Sequence, residues 1–83
     1  MGTRRPRPQR LPEKLLAIRQ ALRLSQSQMI RALNVKTTAA RLSEYESGTR
    51  EPNLLMILAY SRVAHVPVEY LIDDDLDLDD AAD

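Results

Sequence analysis

The chain has 83 residues, no cysteine, one histidine and a formal net charge of zero. A chain of this length allows one domain whose body buries only about 60% of its unfolded surface, and without cysteine it has neither a disulfide framework nor a thiolate metal site. The longest apolar run, residues 54–60, is far below the roughly 18 residues needed to span a membrane, and the prolines after Arg4-Arg5 leave no signal core, so the expected location is the cytoplasm.

The neutral sum hides a strongly uneven distribution. Residues 1–10 hold four Arg and no acid, residues 11–72 hold eight bases against five acids, and residues 73–83 hold seven Asp. Local field rather than net charge governs attraction to phosphate, so nucleic acid stays open as a partner. The expected organisation is a disordered basic arm over 1–10, a folded body over 11–72 and an acidic tail over 73–83.

In the arm, two Arg-Pro pairs favour extended backbone and no apolar periodicity opposes it. Such an arm could lie in a minor groove or on phosphates, or serve only as a solvated tail. The first helix should start near Pro12, with Glu13 at the positive end of its dipole and Leu15, Ile18 and Leu22 as its core face. Ser25 is the expected N-cap of a second, short helix in which Met29, Ile30 and Leu33 recur at helical spacing. Asn34 suits the left-handed residue that closes it. Hydroxyl-rich Val35-Lys36-Thr37-Thr38 then makes a turn, and a third helix runs from about Thr38 to Ser47, with Leu42 and Tyr45 inward and Gly48 as its stop. Two short helices joined by a tight turn make a helix-turn-helix, the unit that lays its second helix in the major groove of DNA.

Beyond the loop from Ser47 to Asn53, Asn53 caps a fourth helix. Its five consecutive apolar residues, 54–58, wrap past one face and call for cover from a second copy. The alternative is a monomer in which this helix is fully surrounded. His65 reads as a C-terminal cap, and a short fifth helix starts at Pro67, where Val68, Leu71 and Ile72 can close the core or join a dimer seam. The Asp-rich end is too charged to fold alone; it could compete with DNA for the basic front, meet a protein partner, or only solubilise. Neither a His-carboxylate cluster nor a Gly-rich phosphate loop is present, so no enzyme activity, metal or cofactor is expected.

The pattern Leu24-Ser25-Gln26, Asn34-Val35, then Leu42 through Pro52 (LSEYESGTREP) resembles the lambda-repressor-like, Cro/XRE family of helix-turn-helix domains over roughly residues 12–72. The chain departs from that family at Ile30 and Asn34, where Ala and Gly are usual, and by two extra residues between Val35 and Leu42, which leaves the register of the base-reading positions open. The resemblance implies an all-α bundle of about five helices. It also implies an ion pair between Arg19 and Glu46 that ties the first helix to the end of the third.

By the same resemblance, base edges are read from Thr38, Ala39, Ala40 and Glu44, with Arg41 added if the insertion rotates it inward. Ala and the Thr methyl suit thymine methyl groups, Glu44 can accept from cytosine N4, and Arg41 can bind guanine. Phosphate contacts fall on Ser25, Gln26, Lys36, Thr37, Ser47, Thr49 and Arg50. Dimer contacts are expected from Leu54, Leu55, Met56, Val68 and Ile72. The resulting reading is a small dimeric repressor bound to double-stranded DNA. Its rival is a protein-interaction module, an antitoxin or adaptor on the same scaffold, with DNA binding secondary or absent.

Overall fold

Residues 7–82 are described by a computed structural model, in which α1 spans Leu11–Ala21, α2 Gln26–Leu33, α3 Ala39–Ser47, α4 Leu54–Ala64 and α5 Glu69–Ile72, followed by a 3-10 turn over Leu78–Ala82. No strand occurs among the described residues. The expected all-α bundle is therefore the observed one. The side chains of α1 pack on α3 and α5, while α2 packs on α3 and α4. Leu11, Leu15, Ile18, Met29, Leu33, Leu42, Tyr45, Met56, Ile57, Tyr60 and Leu71 fill the space between them.

Three helices start on side-chain caps, and each is the residue the pattern marks. Thr38 Oγ1 accepts from the Arg41 N–H at 3.1 Å and Asn53 Oδ1 from the Met56 N–H at 2.9 Å. Ser25 and Gln28 cap reciprocally, the Ser25 hydroxyl taking the Gln28 N–H while the Gln28 amide oxygen takes the Ser25 N–H.

Helix ends use the left-handed region. Asn34 and His65 take it as expected, with φ of 54° and 58°, and Arg23 does so unannounced at 59°. The Arg23 N–H reaches the Gln20 carbonyl and the Leu24 N–H reaches the Arg19 carbonyl, which closes α1 with a Schellman turn. This turn explains a difference from the sequence reading: Leu22 lies past the last residue of α1 and is 41% exposed. Leu24 packs against the core in its place. At His65 the turn is fastened by the Ser61 hydroxyl, which donates to the Val66 carbonyl at 2.5 Å.

The Asp-rich segment departs most from expectation. The structure draws no boundary at residue 73, because residues 73–78 are bound to the start of α1. Asp74 offers its two carboxylate oxygens to the Gln9 and Arg10 backbone N–H groups, each at 2.9 Å. Arg10, the N-cap position of α1, supplies no side-chain cap, so Asp74 caps that helix from 64 residues away. Arg10 in turn donates to the Asp74 carbonyl at 2.9 Å and to the Asp77 carboxylate at 2.6 Å. Lys14 is 2% exposed, and its ammonium donates to the carbonyls of Tyr70, Asp73 and Leu76 at 2.7–3.0 Å. Leu78 packs on the core. Of these acids, Asp74 is held by the helix N-terminus and Asp77 by the Arg10 guanidinium, which offsets part of their mutual repulsion.

Of the expected basic arm, residues 1–6 lie outside the described residues. Arg7 faces Glu51 at 3.9 Å, so the chain enters α1 past the loop between α3 and α4.

A left-handed backbone costs an ordinary residue about 1 kcal/mol or more. Arg23→Gly and His65→Gly are each expected to raise stability by about 1 kcal/mol, or roughly 4–8 °C in a thermal melt, with Asn34→Gly gaining less because Asn tolerates this conformation. The two backbone N–H groups hold the Asp74 carboxyl below its ordinary range. A carboxyl depressed in the folded state adds stability above its unfolded value of about 3.9 and loses it as pH falls through the folded value. Asp74→Asn is therefore expected to lower the melting temperature at neutral pH, with the deficit shrinking in melts taken at progressively lower acid pH.

Candidate nucleic-acid interface

The Glu46 carboxylate, near the end of α3, is the joint on which this surface is built. Arg19 of α1 grips it through Nε to Oε2 at 2.6 Å and Nη2 to Oε1 at 3.1 Å, and the two side chains are 18% and 7% exposed. The third Arg19 nitrogen, Nη1, donates to the Leu24 carbonyl at 3.0 Å and fixes the turn into α2. Gln26, the first residue of α2, donates one amide hydrogen to Glu46 Oε1 at 3.3 Å. One carboxylate thus sets how the start of α2 sits against α3. The hydrogen bond to Glu46 raises the Arg19 pKa above its ordinary value, against the cost of burial.

Tyr60 lies beneath this joint with no solvent exposure. Its hydroxyl has no hydrogen-bond partner among the described residues. Burial, followed by the Glu46 charge, pushes that hydroxyl well above its ordinary pKa despite the opposing Arg19 charge, so it stays neutral.

On α3, Leu42 and Tyr45 turn inward, while Thr38, Ala39, Ala40, Arg41 and Ser43 are exposed. The N-terminal edge of α3 is consequently an open surface with two methyl-sized side chains at its start, able to approach another surface closely. Lys36, Thr37, Thr38 and Arg41 line one shallow cleft, which also holds Asn53. The sequence assigns Asn53 no role beyond capping α4, and no local signal places it beside the start of α3.

Glu44 is only partly open. Its Oε1 accepts from Arg50 Nε at 2.9 Å and lies 3.8 Å from Arg41 Nε. Around it, the Arg50 N–H reaches the Glu44 carbonyl at 3.2 Å, the Ser47 hydroxyl donates to the same carbonyl, and the Ser47 and Thr49 hydroxyls are 2.8 Å apart. Gly48 makes this fold-back possible with a φ of 83°, and its Cα side faces Pro12 so closely that an added Cβ would sit 3.4 Å from that ring. Hence the expected base reader Glu44 and the expected phosphate contact Arg50 hold each other in the free protein.

Of the expected dimer residues, Leu54, Leu55 and Ile72 are 80%, 70% and 42% exposed, and Val68 is half-buried. Met56 is the correction: at 2% exposed it belongs to the core of its own chain. Helical rotation carries Met56 and Ile57 inward and leaves Leu54 and Leu55 outside. A cleft of mixed character beside them is lined by Pro52, Leu54, Ile57 and Ile72 together with Glu51 and Asn53.

Among the described residues no group of acids and histidine is arranged to hold a metal, and no helix is long and apolar enough to cross a membrane. Comparison with known proteins adds the lineage: a helix-turn-helix family model matches residues 15–71, well over half of the chain. The chain belongs to that family. It is a lambda-repressor-like helix-turn-helix domain of the Cro/C1 type. Among solved structures it is similar to the P22 c2 repressor in complex with synthetic operator 9T in the presence of Tl+, with a TM-score of 0.68 and 26% identity over 78% of this chain and 96% of that one. No curated protein matches. The Arg19–Glu46–Gln26 joint thus links the helix before the motif to both motif helices.

Arg19→Ala strands the Glu46 carboxylate and is expected to cost about 3 kcal/mol in a denaturant titration. Tyr60→Phe removes an unpaired buried hydroxyl and is expected to be neutral or to gain up to about 1 kcal/mol.

Proposed function

We propose that this helix-turn-helix protein is a DNA-binding transcription regulator that acts as a small dimeric repressor. The observation that carries the reading is the bare N-terminal edge of α3, Thr38 to Arg41, beside Gln26 on the Glu46 joint and the hydroxyls of Ser47 and Thr49. In this architecture the first motif helix crosses the sugar-phosphate backbone and the second enters the major groove. Ala39, Ala40 and the Thr38 methyl then meet thymine methyl groups, and Arg41 meets guanine. Ser25, Gln26, Lys36, Thr37, Ser47, Thr49 and Arg50 hold phosphates and fix the register without carrying sequence information. The similar P22 c2 repressor was solved with an operator, which supports double-stranded DNA as the partner.

A pair of half-sites on DNA favours a two-fold protein, and the exposed Leu54, Leu55 and Ile72 supply an apolar patch for a second copy. The role is binding rather than catalysis, in the cytoplasm where the DNA is. The same leucines favour a second reading, an adaptor or antitoxin whose main contact is protein.

The test is a binding titration against DNA upstream of its own gene, taken across a range of salt concentrations. A preferred fragment with a steep salt slope is expected, and Arg50→Ala is expected to weaken that complex and to reduce the slope by about one unit. Flat, weak binding to every fragment would instead favour the adaptor. Leu54→Asp with Leu55→Asp changes only exposed positions; it is expected to leave the melting temperature nearly unchanged while moving the protein from dimer to monomer in sedimentation equilibrium.

A further inference from the structure

The Glu44–Arg50 pair points beyond the list of contacts, and the inference from it rests on the DNA-binding reading above. Glu44 lies on the outward face of α3, one turn after Arg41, and its Oε1 holds Arg50 Nε at 2.9 Å with Arg41 Nε at 3.8 Å. Arg50 is further fixed by its own N–H on the Glu44 carbonyl at 3.2 Å. Arg41 and Arg50 are exposed and Glu44 is partly so, with side chains 50%, 48% and 40% accessible, so the pair is open to exchange with an outside partner.

When the protein meets DNA, two demands collide. Arg50 gains by leaving Glu44 for a phosphate, yet its departure leaves a carboxylate facing a polyanion with only the more distant Arg41, at 3.8 Å, beside it. That exchange becomes favourable only where the carboxylate finds a donor of its own, and in the major groove such a donor is the amino group of cytosine or adenine. On any other sequence the cheaper arrangement keeps Glu44 and Arg50 together and forgoes a phosphate contact.

We propose that Glu44 determines specificity by withholding Arg50 from the DNA backbone wherever its carboxylate finds no base amino group. A wrong base then loses two contacts instead of one. The basic surface is also muted on non-operator DNA, because a paired arginine displaces no counterion.

The experiment measures the affinity and salt slope of the full chain on a mixed-sequence duplex for wild type, Glu44→Ala, Arg50→Ala and the double variant, with thermal melts to establish that each is folded. Glu44→Ala is expected to tighten mixed-sequence binding roughly three- to tenfold and to steepen the slope by about one phosphate's worth. Arg50→Ala alone is expected to stay within about twofold of wild type on this DNA, and adding Glu44→Ala to it is expected to gain no more than about twofold, since the contact to be released is gone.

If the Glu44→Ala gain survives undiminished in the Arg50→Ala background, simple loss of a negative charge explains it and the withholding mechanism is wrong. A wild type that binds with a steep slope while Glu44→Ala leaves the slope unchanged overturns the mechanism alone. A wild type with no salt-dependent binding overturns the DNA reading and the mechanism together.

Discussion

One buried carboxylate orders the working surface of this protein. Glu46 is 7% exposed and meets a guanidinium from α1 and an amide from the first residue of α2. A charge so far from water persists only with its partners in place, and the bidentate pair fastens α1 to the end of α3 while Gln26 adds α2 to the same carboxylate. The contact between the motif helices is therefore braced by electrostatics at the ends away from their connecting turn, while Met29 and Leu42 belong to the apolar core they share. A small domain with a limited core gains most from such a joint, because apolar packing alone tolerates small rotations of one helix against another.

A second set of charged contacts does for the ends of the chain what Glu46 does for its middle. Asp74 caps α1, Lys14 gathers the last carbonyls of α5 and of the segment after it, and Arg10 bridges Asp74 and Asp77. Through these contacts the chain places Asp74 and Asp77 against the start of α1, while Thr38 to Arg41 on α3 stay open. The unpaired hydroxyl of Tyr60, beneath Glu46, is the one buried side-chain polar atom without a hydrogen-bond partner among the described residues.

Much of this was legible in the sequence, for local reasons. Ser25, Thr38 and Asn53 cap the helices that follow them because a short oxygen-bearing side chain suits a helix start, and Asn34 and His65 close helices where a left-handed residue is needed. The Arg19–Glu46 pair came from resemblance and stands in the structure at 2.6 Å. What escaped was long-range or lacked contrast. Nothing near Asp74 or Lys14 signals a partner some 60 residues away, so a run of acids read as a free tail. The Glu44–Arg50 contact crosses Gly48, where helical periodicity ends. Five apolar residues in a row gave no contrast to say that Met56 turns inward while Leu54 and Leu55 stay out.

The central claim is that DNA is met by the exposed edge of α3 with the start of α2 and the loop after Gly48. The most direct measurement is the pattern of backbone amide shifts in an NMR titration with a DNA duplex. The account predicts shifts concentrated at residues 25–27, 36–44 and 47–50, with Asp74 to Leu78 little changed. Shifts confined to Leu54, Leu55 and α5, with α3 silent, would contradict it.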